Sequence, residues 1–179
     1  MIESLITSKT RVKLLLKFFL NTSTKSYLRG LESEFGESTN GIRLELNRFE
    51  QAGLLISHNE SNRKVFSANT SHPLFPEIQN LLLKHTGIDQ LTEQVIGKLG
   101  DVEKVYLTGA YARGQESQAI EILLVGGNVD IAYLESLIAK AIQLIKKQIL
   151  YRRMTAGQFD LHQASVGQEN LLLLWEQSN

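Results

Sequence analysis

The chain has 179 residues, 42% of them hydrophobic and 21% charged, and a formal net charge of zero, which is the composition of one large or two small globular domains. Zero cysteines exclude disulfides and thiolate metal sites, and the four histidines, His58, His72, His85 and His162, are too scattered to suggest a zinc site, so no metal or other cofactor is expected. No apolar run approaches the ~20 residues of a membrane span and the N-terminus carries no small-residue cleavage site, so the expectation is a cytoplasmic protein with no membrane association.

The zero net charge conceals an asymmetry. Residues 1–70 hold ten Lys/Arg against seven Asp/Glu, or +3, and residues 71–179 hold nine against twelve, or −3. A mildly basic first half is compatible with nucleic acid. From Ser8, "SKTRVKLLLKFFLN" repeats apolar residues at helical spacing through Val12, Leu15, Leu16, Phe19 and Leu20. Ser23 or Thr24 is placed to cap a second helix, "KSYLRGLESEFG", which stops at Gly36. Ser38 caps a third, "TNGIRLELNRFEQAG", with Ile42, Leu46 and Phe49 inward and Gly53 at its end. "LLISHNES" and "RKVFSAN" then predict a two-stranded hairpin around "NESN".

Helix, helix, short turn, helix and hairpin is the order of a winged helix-turn-helix. "SKTRVKLLLKFFLN", "GESTNGIRLELNRFEQAGLL" and "NRKVFSANTSHPLFPEI" together resemble small bacterial winged-helix transcriptional regulators, close to the arsenical-repressor-like group, over residues 5–85. In such a domain the N-terminal residues of the recognition helix meet base edges in the major groove, which places Ser38, Thr39, Asn40 and Arg43 there. Asn pairs with adenine and Arg with guanine through two hydrogen bonds each. Asn62, Arg63 and Lys64 fall in the wing, with Arg29 and Arg48 as further phosphate contacts. The same residues also suit a plain solvated face, because Glu45 and Glu50 flank Arg43 and Arg48 with opposite charge.

Residues 71–100 contain both prolines, Pro73 and Pro76, and predict two connecting helices ending at Gly87 and Gly100. In the resembled regulators a helix after the wing is a common place for dimer contacts, so the resemblance implies a homodimer. Beyond it, "VEKVYLTGA" and "AIEILLVGG" predict strands around the turn "GAYARGQES". "DIAYLESLIAKAIQLI" predicts a helix, "KQILYRRMT" a third strand, and "QFDLHQASVGQENLLLLWEQ" closing helical segments.

Residues 102–176 resemble the minimal nucleotidyltransferase domain of the polymerase-beta-like superfamily, whose pattern is strand, Gly-Ser, a turn with Ala-Arg-Gly, and a second strand bearing Asp-x-Asp. Here the pattern reads Gly109-Ala110, Ala112-Arg113-Gly114 and Ala119-Ile120-Glu121. The resemblance implies two divalent ions held by carboxylates. Residues 119 and 121 share a strand face, yet Ala119 offers no ligand, Ala110 replaces the serine, and the third strand offers Arg152 and Arg153 where a carboxylate is needed. Metal-dependent catalysis is therefore not expected. Gly109, Ala110, Arg113, Gly114 and Glu121 remain a candidate nucleotide or anion site, although glycines that only shape turns beside a solvated Arg113 are the favoured explanation of the pattern.

The sequence thus predicts an α+β molecule in three parts: a winged helix-turn-helix over 1–70, connecting helices over 71–100 and a nucleotidyltransferase-like α/β domain over 101–179. The expected function is a regulator of transcription that binds double-stranded DNA as a homodimer, its second domain a pseudoenzyme serving dimerisation, partner binding or ligand sensing. Two alternatives stand beside it. An active nucleotidyltransferase predicts magnesium-dependent turnover abolished by Glu121→Gln, and an antitoxin-like interaction module predicts a protein partner without salt-dependent DNA binding.

Overall fold

The computed structural model describes residues 2–165 and 170–177. It begins with a single helical turn, α1 (Ile2–Leu5), and a helix, α2 (Lys9–Phe19), capped by Ser8, whose Oγ accepts a hydrogen bond from the Arg11 amide at 3.2 Å. Val12, Leu14, Leu15, Leu16, Phe18 and Phe19 are all buried, because they form one wide apolar face while Lys9, Thr10, Lys13 and Lys17 gather on the other side. After a two-residue strand, β1 (Ser26–Tyr27), comes α3 (Leu28–Phe35), ended by Gly36 at φ 63°, a conformation glycine adopts without steric cost. A short turn leads to α4 (Thr39–Gln51), where Ser38 caps the helix by accepting from the Gly41 amide at 3.3 Å.

The hairpin follows as β2 (Leu55–Glu60) and β3 (Arg63–Ala68), registered from Leu55 opposite Ala68 to Glu60 opposite Arg63. Ser61 and Asn62 close it with φ of 44° and 67°, the left-handed pair that a two-residue hairpin turn requires. Pairing of β1 along the other side of β3 gives an antiparallel sheet of order β1-β3-β2. Then α5 (Phe75–Thr86) returns to α2: the Phe75 and Phe19 rings stack at 5.5 Å, and Gln79 Nε2 donates to the Phe19 carbonyl at 3.1 Å, satisfying a group the helix end leaves open. One expectation shifts here. The second helix starts at Leu28 and not near Lys25, because Ser26 and Tyr27 pair with Phe66 and Val65. Neither Ser23 nor Thr24 caps it; Ser23 instead bonds through its amide and hydroxyl to Asn21 Oδ1 at 3.1 and 2.6 Å.

The second half contains α6 (Ile88–Gln94), a 3-10 turn at Ile96–Lys98, β4 (Val102–Thr108), a helical turn α7 (Gly109–Ala112), β5 (Ala119–Gly126), α8 (Ile131–Ile145), β6 (Gln148–Met154), α9 (Ala156–Ser165) and β7 (Leu172–Glu176). The sheet runs β6-β5-β4-β7, parallel between β5 and β6 and antiparallel elsewhere. The crossover helix α8 makes the parallel pair possible; Asp130 caps it by accepting from the Tyr133 amide at 3.1 Å, and Leu134, Leu137, Ile138 and Ala141 are its buried residues. Ile122, Leu123, Leu124 and Val125 of β5 are all buried, as the unbroken apolar run of an interior strand implies. Leu123, Val125 and Tyr106 form a cluster with Phe159 of α9, whose ring stacks on Tyr106 at 4.7 Å.

The closing segment corrects the sequence reading. Closing helical segments were expected within 158–177, but Leu172–Glu176 is a strand, with Leu172 opposite Leu107 and Trp175 opposite Val105. A short apolar run such as "LLLLW" suits strand or helix equally by pattern, and the open edge of β4 supplies hydrogen-bond partners that decide it. Residues 166–169 of that stretch lie outside the described residues. The chain divides into units Met1–His85 and Thr86–Asn179, so the segment 71–100 gives most of α5 to the first and α6 with the 3-10 turn to the second. Both units mix helix and sheet, the α+β class expected.

Phe159 is the buried residue of α9. Phe159→Ala is expected to destabilise the second unit by about 3–5 kcal/mol. Hydrogen exchange should then quicken at the amides of β4 and β5 and stay unchanged in α2 and α4.

Candidate functional site

Helix α4 has two faces. Ile42, Glu45, Leu46 and Phe49 are buried, whereas Asn40, Arg43 and Asn47, at i, i+3 and i+7, are exposed along one stripe. Hydrophobic contact alone leaves such a helix free to roll slightly, and Glu45 removes that freedom. It is 6% exposed and accepts from Arg11 Nε at 2.9 Å, Arg11 Nη2 at 3.2 Å, Arg48 Nη1 at 3.0 Å and Ser8 Oγ at 3.4 Å. Desolvation works to raise its pKa, but the Arg11 hydrogen bond and charge, with those of Arg48, outweigh it and hold Glu45 below the usual carboxylate range. The sequence suggested a solvated ion pair at Glu45; the carboxylate is instead a buried tie between α2 and α4.

Beside α4 lies an open groove of about 910 Å³ between α3, α4 and the β2–β3 hairpin. Arg43, Arg63 and Lys64 line it together with Asn62 and Arg29, so five of the residues singled out from sequence share one surface. Ser38, Thr39 and Asn40 stand at the N-terminus of α4 and are not part of its lining. Arg48 is drawn away to Glu45. Tyr27, Gly30, Ser33 and Asn47 line the groove without having been anticipated. A helical spacing of four from Arg43 flags Asn47, whereas Tyr27 had no signal, since a two-residue strand leaves no periodicity.

Charge is sorted within this unit. Arg11 pairs with Glu45, Lys13 with Glu37 at 2.6 Å, Lys17 with Glu34 at 2.9 Å and Lys64 with Glu50 at 2.6 Å. The Lys64 hydrogen bond is the main reason that Glu50 is held below the usual carboxylate range. Arg29, Arg43 and Arg63 have no carboxylate partner among the described residues. The groove therefore carries unpaired positive charge, although Lys9 and Lys25, which also have no carboxylate partner among the described residues, lie outside its lining.

In the second unit the expected anion-site residues gather where β4 meets α7. Gly109 has φ 66°, and a Cβ built on it meets Glu121 Oε1 at 2.2 Å, so the Glu121 carboxylate lies directly on the Gly109 backbone. Thr108 is opposite Glu121 across the sheet, Ala110 follows in α7, Arg113 ends that turn exposed to solvent, and Gly114 is buried at φ 71°. The parallel register sets Leu150 of β6 beside Glu121, 51% exposed, while Arg152 and Arg153 lie opposite Leu123 and Leu124 further along. Arg153 reaches a separate cleft of about 170 Å³ at the carboxyl ends of β5 and β6, lined also by Gly126, Thr155 and Gln158. The residues around Glu121 do not fit a pair of divalent ions. Ala119 and Leu150 supply no oxygen, and among the described residues no three His, Asp or Glu side chains gather as metal ligands.

No protein-family model and no curated protein matches the chain. Among solved structures, reduced HlyU from Vibrio cholerae is 14% identical over 51% of this chain and 82% of its own, with a TM-score of 0.35. A putative nucleotidyltransferase from Sulfolobus solfataricus is 22% identical over 57% of this chain and 86% of its own, with a TM-score of 0.37. At these identities and scores neither likeness assigns a function to this chain.

The Glu45 tie makes a stability prediction with a definite sign. Glu37, Glu45 and Glu50 are all held below the ordinary value of 4.5, so their contribution is fully present above that value and is lost as pH falls through their lowered native values. The first unit should thus lose stability progressively below pH 4.5. Glu45→Gln should cost it about 1–3 kcal/mol at neutral pH and shrink that acid dependence, as read by urea unfolding across a pH series. An unchanged pH profile in Glu45→Gln would contradict the role given to this carboxylate.

Proposed function

We propose that the protein is a DNA-binding transcriptional regulator. Its first unit acts as a winged helix-turn-helix in which α4 enters the major groove and the β2–β3 hairpin lies along the backbone as a wing. The observation that carries this reading is the convergence of Arg29, Arg43 and Arg63, none paired with a carboxylate among the described residues, on the groove beside the exposed stripe of α4. Phosphate contacts made by unneutralised cations supply affinity and position, and the side chains of the inserted helix supply sequence preference. Asn40 and Arg43 have the chemistry to read adenine and guanine, and Ser38 and Thr39 stand at the helix N-terminus, where backbone amides favour a phosphate.

Two-fold symmetry would let a pair of such helices meet successive major-groove faces, and a homodimer is part of the proposal. The second unit is taken as a non-catalytic relative of the nucleotidyltransferase fold, serving dimerisation, partner binding or ligand sensing. The end of β4 favours that reading chemically: the Glu121 carboxylate rests on Gly109, where a phosphate approaching Gly109, Ala110 and Gly114 has to go. A nucleotide held there with Arg113 therefore requires Glu121 to turn away.

Fluorescence anisotropy with the duplex upstream of the protein's own gene, and a scrambled duplex, tests the proposal across a salt series. The expected result is preference for the upstream duplex, with binding that weakens steeply as salt rises. Asn40→Ala and Arg43→Ala should each cost about 1–3 kcal/mol and erase the preference. Absence of binding to these duplexes and to a genomic fragment library would overturn the reading, and tight capture of a protein partner instead would mark an interaction module.

A further inference from the structure

The wing presents Arg63 in an unusual setting. Its backbone follows the left-handed turn at Ser61 and Asn62, and its guanidinium lies 4.7 Å over the centre of the Tyr27 ring. Tyr27 is itself fixed from two directions. Its backbone pairs with Val65 of β3, two residues from Arg63, and its ring lies on α3 at Gly30, where an added Cβ meets ring atoms at 3.4–3.5 Å. A Cβ at position 30 would sit in van der Waals contact with the ring. Gly30, Tyr27 and Arg63 thus form one stack from the helix to the wing along the wall of the basic groove.

We infer that Tyr27 is a positioning residue that holds the wing arginine, Arg63, in the groove for a phosphate of the DNA backbone; this rests on the DNA-binding reading above. A free arginine on a hairpin tip has many rotamers, and ordering it on binding opposes affinity. Stacking on an aromatic face restrains the side chain beforehand and leaves the guanidinium N–H groups in its plane available to a phosphate. Lys64, the neighbouring wing cation, also lines the groove, but its charge is paired: it is bonded to Glu50 and lies 5.1 Å over Phe66. Arg63 is therefore the wing cation left for DNA.

Two measurements on the full chain separate this inference from the reading it rests on. In the free protein, NMR should show the Arg63 δ-methylene protons shifted upfield by the Tyr27 ring, with the shift kept in Tyr27→Phe and lost in Tyr27→Leu. In DNA binding, Tyr27→Leu should weaken affinity about two- to fivefold while Tyr27→Phe keeps it. Arg63→Ala should lower the slope of log affinity against log salt by about 0.9, and Tyr27→Leu should cost nothing further in the Arg63→Ala background. Tyr27→Val replaces Tyr27→Leu if the latter fails to melt cooperatively. An equal Tyr27→Leu penalty with or without Arg63 would overturn the positioning role, as would the absence of the upfield shift in the wild-type protein. Failure of every variant and the wild type to bind duplex overturns the DNA reading, while the NMR arm still decides whether Tyr27 orders Arg63.

Discussion

The tie between Glu45 and the two arginines Arg11 and Arg48 governs the arrangement of the first unit. A carboxylate exposed at only 6% is costly to desolvate, and it is retained because three guanidinium contacts and the Ser8 hydroxyl satisfy it. Its benefit is directional. Apolar contacts from Ile42, Leu46 and Phe49 attach α4 to the core but do not fix its rotation, whereas a bidentate contact tolerates little roll. With that face fixed, Asn40, Arg43 and Asn47 point outward along one line. The same acidic side chains decide where positive charge remains. Glu34, Glu37, Glu45 and Glu50 pair with Lys17, Lys13, Arg11 and Lys64, while Arg29, Arg43 and Arg63 stay unpaired along a single groove and Lys9 and Lys25 stay unpaired outside it, among the described residues. A small excess of positive charge becomes useful when it is concentrated in this way.

The second unit holds a carboxylate against a glycine backbone at one end of its sheet. Its sheet brings the end of β4 and the start of β5 to one edge, which is where Gly109 and Glu121 meet. Ala119 on the same strand face and Leu150 on the neighbouring strand put methyl groups where metal ligation needs oxygen.

Most elements were legible because each is a local statement. Ser38 before α4, Gly36 after α3 and Asp130 before α8 mark helix ends through their own chemistry, and the apolar run of β5 declares a buried strand. What escaped depended on distant partners. Ser26 and Tyr27 become a strand only because β3 lies beside them, forty residues later in the chain, and with them went the recognition that Tyr27 lies under Arg63. Leu172–Glu176 becomes a strand because β4 has an open edge. Glu45 looked like a surface residue because its partner Arg11 is thirty-four positions away. The candidate DNA residues were legible by type and place, but sequence could not distinguish Lys64 and Arg48, which are tied to carboxylates, from Arg43 and Arg63, which are not.

The most direct test is to locate the DNA on the protein. Titration of the isotopically labelled full chain with duplex, followed through its backbone amide resonances, reports every contacted segment at once. If α4 and the hairpin grip DNA, the largest shifts fall in the first turns of α4, around Tyr27 and Arg29, and across the Glu60–Lys64 turn, while β4, β5 and β6 stay unperturbed. Shifts concentrated on the sheet edge around Gly109 and Glu121, with α4 unchanged, would contradict the assignment of DNA binding to the first unit.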